Sequence, residues 1–259
     1  MSAPDLPPPT GHAAVDRPVA VHLTPALADA ADLHGSVVIM VDVLRASTTI
    51  AAALAAGAIE VRPFLTVEAA LAAAAKSRPR PLLGGERAGK LIPGFDLGNS
   101  PRDYTAKSVG GRAVFFTTTN GTAALLAAAQ AGAAEVLIGS LANLSVTCAR
   151  AAAQDLPVHI LCAGTRDRVT LDDCIAAGAM VERLLEAGHN LTADDSARLC
   201  LAAWHLAEEG GDAAGAMAAS RGGRNLAAIG LERDVADCAQ IDRYPVVLRY
   251  GPATGAITL

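Results

Sequence analysis

The chain has 259 residues, with 26 acidic and 21 basic side chains and a formal charge of −5. That length allows one large domain or two small ones with a real core, and the acidic balance excludes a general nucleic-acid binder while allowing a local basic pocket. Hydrophobic residues make up 52% but aromatics only 3%, so the core must be built from Ala, Val, Leu and Ile, and the five cysteines lack any CxxC pairing, which suits reduced thiols in a cytoplasmic protein better than disulfides or zinc.

The head, Ser2 to Arg17, contains Pro4, Pro7, Pro8 and Pro9 and no apolar stretch of signal-peptide type. It reads as a disordered tail, and no later run is long enough to span a membrane. Residues 18–259 then read as a single α/β domain. Two similar subdomains, about 18–84 and 112–250, would be joined by a loop over 85–111.

Val19 to Leu23 predicts a first strand. Val37 to Val41 is a continuous apolar run, as in a strand buried on both faces. An Ala/Leu helix follows over residues 48–56, with Gly57 as its C′ cap. Glu60 to Phe64 predicts a strand, Val67 to Lys76 a helix and Pro81 to Gly84 a short strand.

Periodicity disappears from Gly85 to Gly111. A structureless stretch of that length inside a domain is usually functional or disordered, and its content favours function. Leu91, Ile92, Phe95 and Leu97 would anchor it as one wall or lid of a site. Phe95 and Leu97 would point inward and Asp96 to the opposite side, with Asn99 and Ser100 free to hold it or a water.

Arg112 to Phe116 predicts the next strand, followed by Thr117-Thr118-Thr119-Asn120-Gly121-Thr122 and a helix over 123–130. Glu135 to Ile138 is a strand, Asn143 to Ala153 a helix, Val158 to Leu161 a strand and Leu171 to Glu186 a long helix. Residues 193–237 read as mainly helical, and Val246 to Tyr250 as a last strand. Residues 37–61 and 113–136 echo each other: apolar strand, polar turn, Ala/Leu helix, Gly-Ala, strand. Strands alternating with helices predict a three-layer α/β/α architecture on a mainly parallel sheet, and the echo allows two related βαβ units about a pseudo-two-fold.

Four polar clusters follow four buried strands: Asp42/Arg45/Ser47/Thr48, Glu86/Arg87, Thr117 to Thr122, and Gly164/Thr165 with Asp172/Asp173. Parallel strands place their C-terminal ends together, so the clusters should meet in one crevice. Asp42, Glu86, Asp96 and Asp173 offer hard oxygen ligands for Mg²⁺. Arg45 and Arg87 offer planar forks for phosphate or sulfonate oxygens. Thr118, Thr119, Asn120, Gly121 and Thr122 offer hydroxyls and amides to a phosphoryl group.

Each feature also has a plainer reading. Ser47 or Thr48 could only cap a helix, Asn120-Gly121 could only turn, and Asp172 and Asp173 could only be helix-end charges. Cys162 reads as a buried thiol and His159 as a packed strand residue. Arg221 and Arg224, in SRGGRNL, could be solvated or could reach an anion. The chain has no GxxxxGK[ST], no GxGxxG after a strand and no GxSxG.

VDVLRASTTI (41–50), GGERAG (84–89), GFDLGNSP (94–101), TTTNGT (117–122), CAGT (162–165) and LDD (171–173) resemble, in that order, the motifs of the 2-phosphosulfolactate phosphatase family. The resemblance runs from about Val37 to about Ile241. It implies an α/β/α, Mg²⁺-dependent hydrolase that releases phosphate from 2-phosphosulfolactate to give 3-sulfolactate, a step of coenzyme M biosynthesis. Asp172 stands where the family pattern leads one to expect Glu, which favours Asp173 for the conserved role.

The resulting expectation is a cytoplasmic phosphatase. Its partner would be a small anionic phosphate ester, with no nucleic acid or membrane, and a homodimer is allowed. Asp42, Arg45, Glu86, Arg87 and Asp173 would carry catalysis, and Asp42, Glu86, Asp96 and Asp173 would hold Mg²⁺. Ser47, Thr48, Asn99, Ser100, Thr118 to Thr122, Gly164, Thr165 and Arg224 would bind the phosphate or substrate. Direct attack by water and attack by Asp42 both stay open. The same fold could act on another phospho-acid, or bind an anionic metabolite without turnover.

Overall fold

The computed structural model describes residues 17–192 and 194–259. The expected disordered tail falls on residues 1–16, outside the described residues. In chain order come β1 (Pro18–His22), α1 (Ala30–Leu33), β2 (Val37–Val41), α2 (Ala46–Ala55), β3 (Glu60–Pro63), α3 (Val67–Lys76), β4 (Leu82–Arg87) and β5 (Lys90–Leu91). Next are α4 (Ala106–Val109), β6 (Ala113–Thr117), α5 (Gly121–Gln130), β7 (Glu135–Gly139), α6 (Leu144–Ala152), β8 (Val158–Cys162), α7 (Leu171–Glu186) and β9 (Asn190–Leu191). The chain ends with α8 (Ser196–Glu209), α9 (Ala213–Ala218), α10 (Arg221–Ala227), α11 (Arg233–Cys238), β10 (Arg249–Gly251) and β11 (Ala256–Thr258).

All five residues of β2 are buried, because helices cover both faces of the sheet. The pleat sends alternate side chains to two cores. Val37, Ile39 and Val41 join Leu144, Met180 and Trp204 on one side. Val38 and Met40 join Ile50, Leu54 and Leu125 on the other. Small side chains let α2 sit close to its neighbours all round: every residue from Ala46 to Leu54 is buried. This is the three-layer α/β/α architecture on a mostly parallel sheet.

The eleven strands lie in the order β5-β4-β6-β3-β11-β10-β7-β2-β8-β1-β9. One parallel block holds β7, β2, β8, β1 and β9, and the other holds β3, β6 and β4. The antiparallel hairpin β10–β11 joins them, and three successive antiparallel pairings reverse the sense of one block against the other. The two echoed units interlock: β2-α2-β3 and β6-α5-β7 exchange strands, so that β2 pairs with β7 and β3 with β6.

Two stretches differ from the sequence expectation. Residues 85–111 carry regular elements where none was expected: β4 continues to Arg87, β5 returns against it, and α4 follows. Gly85 hides the strand from any hydrophobic pattern. Its φ is +133°, and a Cβ there would lie 2.0 Å from the Thr117 carbonyl oxygen. Phe95 is buried with Leu83, Ile92 and Phe115, and Leu97 packs on a neighbouring core, so the inward anchoring is as expected. The final strand is shorter and later than Val246 to Tyr250, and it is half of a hairpin with β11.

Candidate active site

The C-terminal ends of β2, β4, β6 and β8 meet around Asp42. Asp42 ends β2 and its own amide donates to Ser47 Oγ at 2.7 Å, while Ser47 N donates back to the Asp42 carbonyl at 2.9 Å. Ala46 N donates to the Asp42 carboxylate at 3.4 Å, which points the first turn of α2 at the charge. From the other block, Gly121 opens α5 directly against Asp42: a Cβ on Gly121 would stand 2.6 Å from Asp42 Oδ2. A side chain there would displace either the helix or the carboxylate.

Glu86, at the end of β4, accepts from Thr119 N at 2.8 Å and from Gly89 N at 2.6 Å. It ties the threonine-rich turn to the β4–β5 turn. Asp42 and Glu86 are both at least nine-tenths buried. Burial, and then the charges of Glu86 and Asp172, push the Asp42 carboxyl up to about 7.

The adjacent pair Asp172 and Asp173, at the start of α7, does two different jobs. Asp173 Oδ1 accepts from Val43 N at 3.0 Å, and its Oδ2 accepts from Gly164 N at 2.9 Å and Thr170 Oγ1 at 3.1 Å. Both of its oxygens are thereby spent on locking the end of β2 to the end of β8. Burial, then Asp172 and Asp42, hold the Asp173 carboxyl well above the usual range. Asp172 is also buried, yet its Oδ1 has no hydrogen-bond partner among the described residues. Burial raises its carboxyl too, partly offset by the Ser220 hydroxyl. The sequence reading favoured Asp173 as ligand; the geometry makes Asp172 the carboxylate with a free oxygen and Asp173 the clamp.

A cleft of about 380 Å³ opens over this floor. Glu86, Asn99, Thr119, Asn120 and Thr165 line it, as do Arg45, Arg166, Arg221 and Asn225. Asn120 Oδ1 accepts from Arg166 N at 3.1 Å, which fastens the β8–α7 turn to the β6–α5 turn.

Several expected residues are occupied elsewhere. Arg45 is 2% exposed and pairs with Asp234 at 2.5 Å, while its other fork donates to the Gly89 carbonyl at 2.8 Å. Ser100 Oγ donates to the second oxygen of Asp234 at 2.8 Å. Arg87 turns to the Glu86 and Leu65 carbonyls and to Thr117 Oγ1, so the structure does not bring it to the cleft. Asp96 pairs with Arg80 at 3.0 Å and accepts from Leu83 N at 2.8 Å, rather than meeting Asn99 and Ser100.

Thr48 Oγ1 donates to the Val43 carbonyl, and Thr118 and Thr122 cap each other across the first turn of α5. Ser47, Thr48, Thr118, Thr122 and Gly164 therefore shape the turns, while Thr119, Asn120 and Thr165 face the cleft. Arg224 is exposed and donates to the Ala219 carbonyl; its neighbour Arg221 is the one that lines the cleft. Cys162 is buried, with its thiol on the Asp173 carbonyl, and burial raises it far above the ordinary thiol range. His159 stacks on His22, with their ring nitrogens 2.9 Å apart. Asp234 went unnoticed in the sequence because it follows no strand, and Arg166 was passed over although it directly follows the CAGT turn after β8.

The floor suits a divalent cation. Asp42, Glu86 and Asp172 are three buried acids in mutual repulsion, and one oxygen of Asp172 is orphaned. Among the described residues no three His, Cys, Asp or Glu side chains form a ready ligand cage. Mg²⁺ needs none: it binds through one or two carboxylates and completes its shell with water and phosphate oxygens.

The family described as 2-phosphosulpholactate phosphatase matches residues 22–252. A protein of Deinococcus radiodurans named probable 2-phosphosulfolactate phosphatase is 44% identical over 209 residues, covering 80% of this chain and 85% of its own. Equally named proteins of Symbiobacterium thermophilum and Thermus thermophilus are each 41% identical, covering 82% and 83% of this chain and 90% and 87% of their own.

Proposed function

The chain belongs to the 2-phosphosulfolactate phosphatase family, and from that membership we propose that it hydrolyses 2-phosphosulfolactate to 3-sulfolactate and phosphate with Mg²⁺ as cofactor. The family's activity is that of a phosphoric monoester hydrolase. One observation carries the cofactor: Asp42 is buried beside Glu86 and Asp172, and no cationic side chain pairs with it among the described residues.

Asp42 and the free Oδ1 of Asp172 would hold the ion. Bound there, Mg²⁺ would supply charge neutralisation at phosphoryl oxygens and a water of lowered pKa. The first-turn amides of α2 and α5 add partial positive charge on either side of Asp42. Thr119 and Asn120 present polar groups to the non-bridging oxygens from a turn that Glu86 holds still. Such fixed dipoles stabilise developing charge without reorganising at the moment of reaction. Asp173 and the Arg45–Asp234 pair position this floor.

The test is phosphate release from 2-phosphosulfolactate with Mg²⁺ and with chelator. Release that needs the ion is expected. Release unchanged by chelator would remove the cofactor, and no release under either condition would remove the substrate.

A further inference from the structure

Among the arginines discussed around the cleft, Arg45, Arg87 and Arg224 are committed and two are not. Arg45 is consumed by Asp234 and Gly89, and Arg87 by Thr117 and backbone carbonyls. Arg166 and Arg221 both line the cleft, and neither side chain makes a hydrogen bond or ion pair with any described residue. They come from separate segments, the β8–α7 turn and the start of α10.

Both are held firmly by their backbones. Arg166 and Asp167 adopt φ of +52° and +58° in a turn closed by the Thr165–Arg168 bridge, and Asn120 accepts the Arg166 amide. Backbone held in that region signals a turn fixed by its surroundings. Arg221 is fixed differently. A Cβ on the next residue, Gly222, would stand 2.6 Å from Asp172 Oδ2, so α10 rests directly on the acidic floor. Asn99, 5% exposed, lines the cleft beside them.

We propose that Arg166 and Arg221 select the substrate, by binding an anionic group that it carries in addition to its phosphate. This inference rests on the reading of the site as a phosphatase and names its specificity device. The chemistry requires one. A small ester bearing sulfonate and carboxylate beside the phosphate brings more negative charge than one divalent ion offsets, and it brings it to a floor of three acids. Two unpaired planar forks at the cleft supply the missing positive charge with the geometry that sulfonate and carboxylate oxygens accept. A plain phosphate monoester would leave both forks unused.

The experiment compares wild type with Arg166→Met, Arg221→Met and the double variant in the presence of Mg²⁺. The first readout is the ratio of kcat/KM for 2-phosphosulfolactate to that for 4-nitrophenyl phosphate. Each single variant should lower this ratio roughly 10- to 100-fold, as expected for loss of a charge-assisted hydrogen-bond pair. The loss should lie mainly in KM, with Arg221→Lys recovering only part of it. The second readout is calorimetric binding of 3-sulfolactate, which needs no turnover and should weaken in the same variants while lactate stays weak throughout.

An equal fall for both esters would place the arginines on the transferring phosphoryl group and overturn the proposal, as would an unchanged ratio. Should wild type hydrolyse neither ester, the phosphatase reading fails. The binding readout still decides the arginines, since undiminished 3-sulfolactate binding by the double variant contradicts their role.

Discussion

The cleft has a buried floor and an open rim, and the two are built on opposite rules. On the floor most polar groups are fixed by others: Asp173 accepts three hydrogen bonds, Glu86 holds two backbone amides, and Arg45 is locked to Asp234, while Asp172 keeps one free oxygen. On the rim Arg166 and Arg221 have rigid backbones and free side chains. The same residue type is thus a strut in one place and a receptor in the other. What separates them is whether the donors are already spent.

The sharpest way to break this comparison is Asp42→Asn. The amide keeps the shape of the floor but not its charge, so turnover should fall by about three orders of magnitude or more, the scale of losing a main electrostatic group. Thermal unfolding without added metal at pH 8 should not fall, since an isolated buried charge has been removed. A large loss of stability instead would make Asp42 a structural residue.

Next in size is Arg45→Met. It leaves the Asp234 carboxylate buried and uncompensated, which costs about 3–5 kcal/mol in typical cases. Chemical denaturation should show that loss, and adding Asp234→Leu should return part of it. If Arg45→Met were neutral for stability and changed only KM, Arg45 would belong with the rim.

Smaller effects are expected from the two glycines that seat helices on carboxylates. Gly121→Ala and Gly222→Ala each bring a Cβ within 2.6 Å of Asp42 Oδ2 or Asp172 Oδ2. Displacing a helix start by a fraction of an ångström should lower kcat about 10- to 100-fold. Steady-state kinetics and a thermal melt together check this, because a purely structural defect would appear in the melt alone. The smallest effect belongs to Asp96→Asn. Its pair with Arg80 is partly exposed, with 53% and 30% side-chain exposure. Such pairs contribute about 0–1 kcal/mol, so activity should stay within about threefold.

Much of this arrangement was legible in the chain. The boundaries of β2, α3 and α7 follow directly from apolar runs and Ala-rich periodicity. β4 was cut short because Gly84-Gly85 interrupts the pattern at the point where close contact with β6 demands glycine. The hairpin β10–β11 was half missed because Arg249, Gly251 and Thr258 show too little apolar character to mark strands.

In the site, polar residues after buried strands pointed to Glu86, Thr119 and Thr165, which line one cleft, and to Asp42, which is buried beside Glu86. What such a pattern does not contain is the partner of each donor. Asp234 lies 189 residues from Arg45, so the ion pair that occupies Arg45 has no local trace. For SRGGRNL a local clue did exist. Ser220 caps α10 through Gly223 N, which puts Arg221 in the first turn beside the floor and Arg224 a turn away.

The central claim is that Asp42 is a buried acid that a divalent cation ionises, and linkage tests it most directly. The folded-state pKa of Asp42 is about 7, above its ordinary value of 3.8. The folded protein therefore binds more protons than the unfolded chain between those values, and stability without metal should fall as pH rises through that window. A cation that needs the ionised form competes with the proton. The measurement is the rise in Tm on adding Mg²⁺, taken at pH 5.5 and at pH 8, in wild type and Asp42→Asn. The account predicts a rise that is small at pH 5.5, clearly larger at pH 8, and nearly absent in Asp42→Asn. A rise of equal size at both pH values, or one that survives in Asp42→Asn, would contradict it.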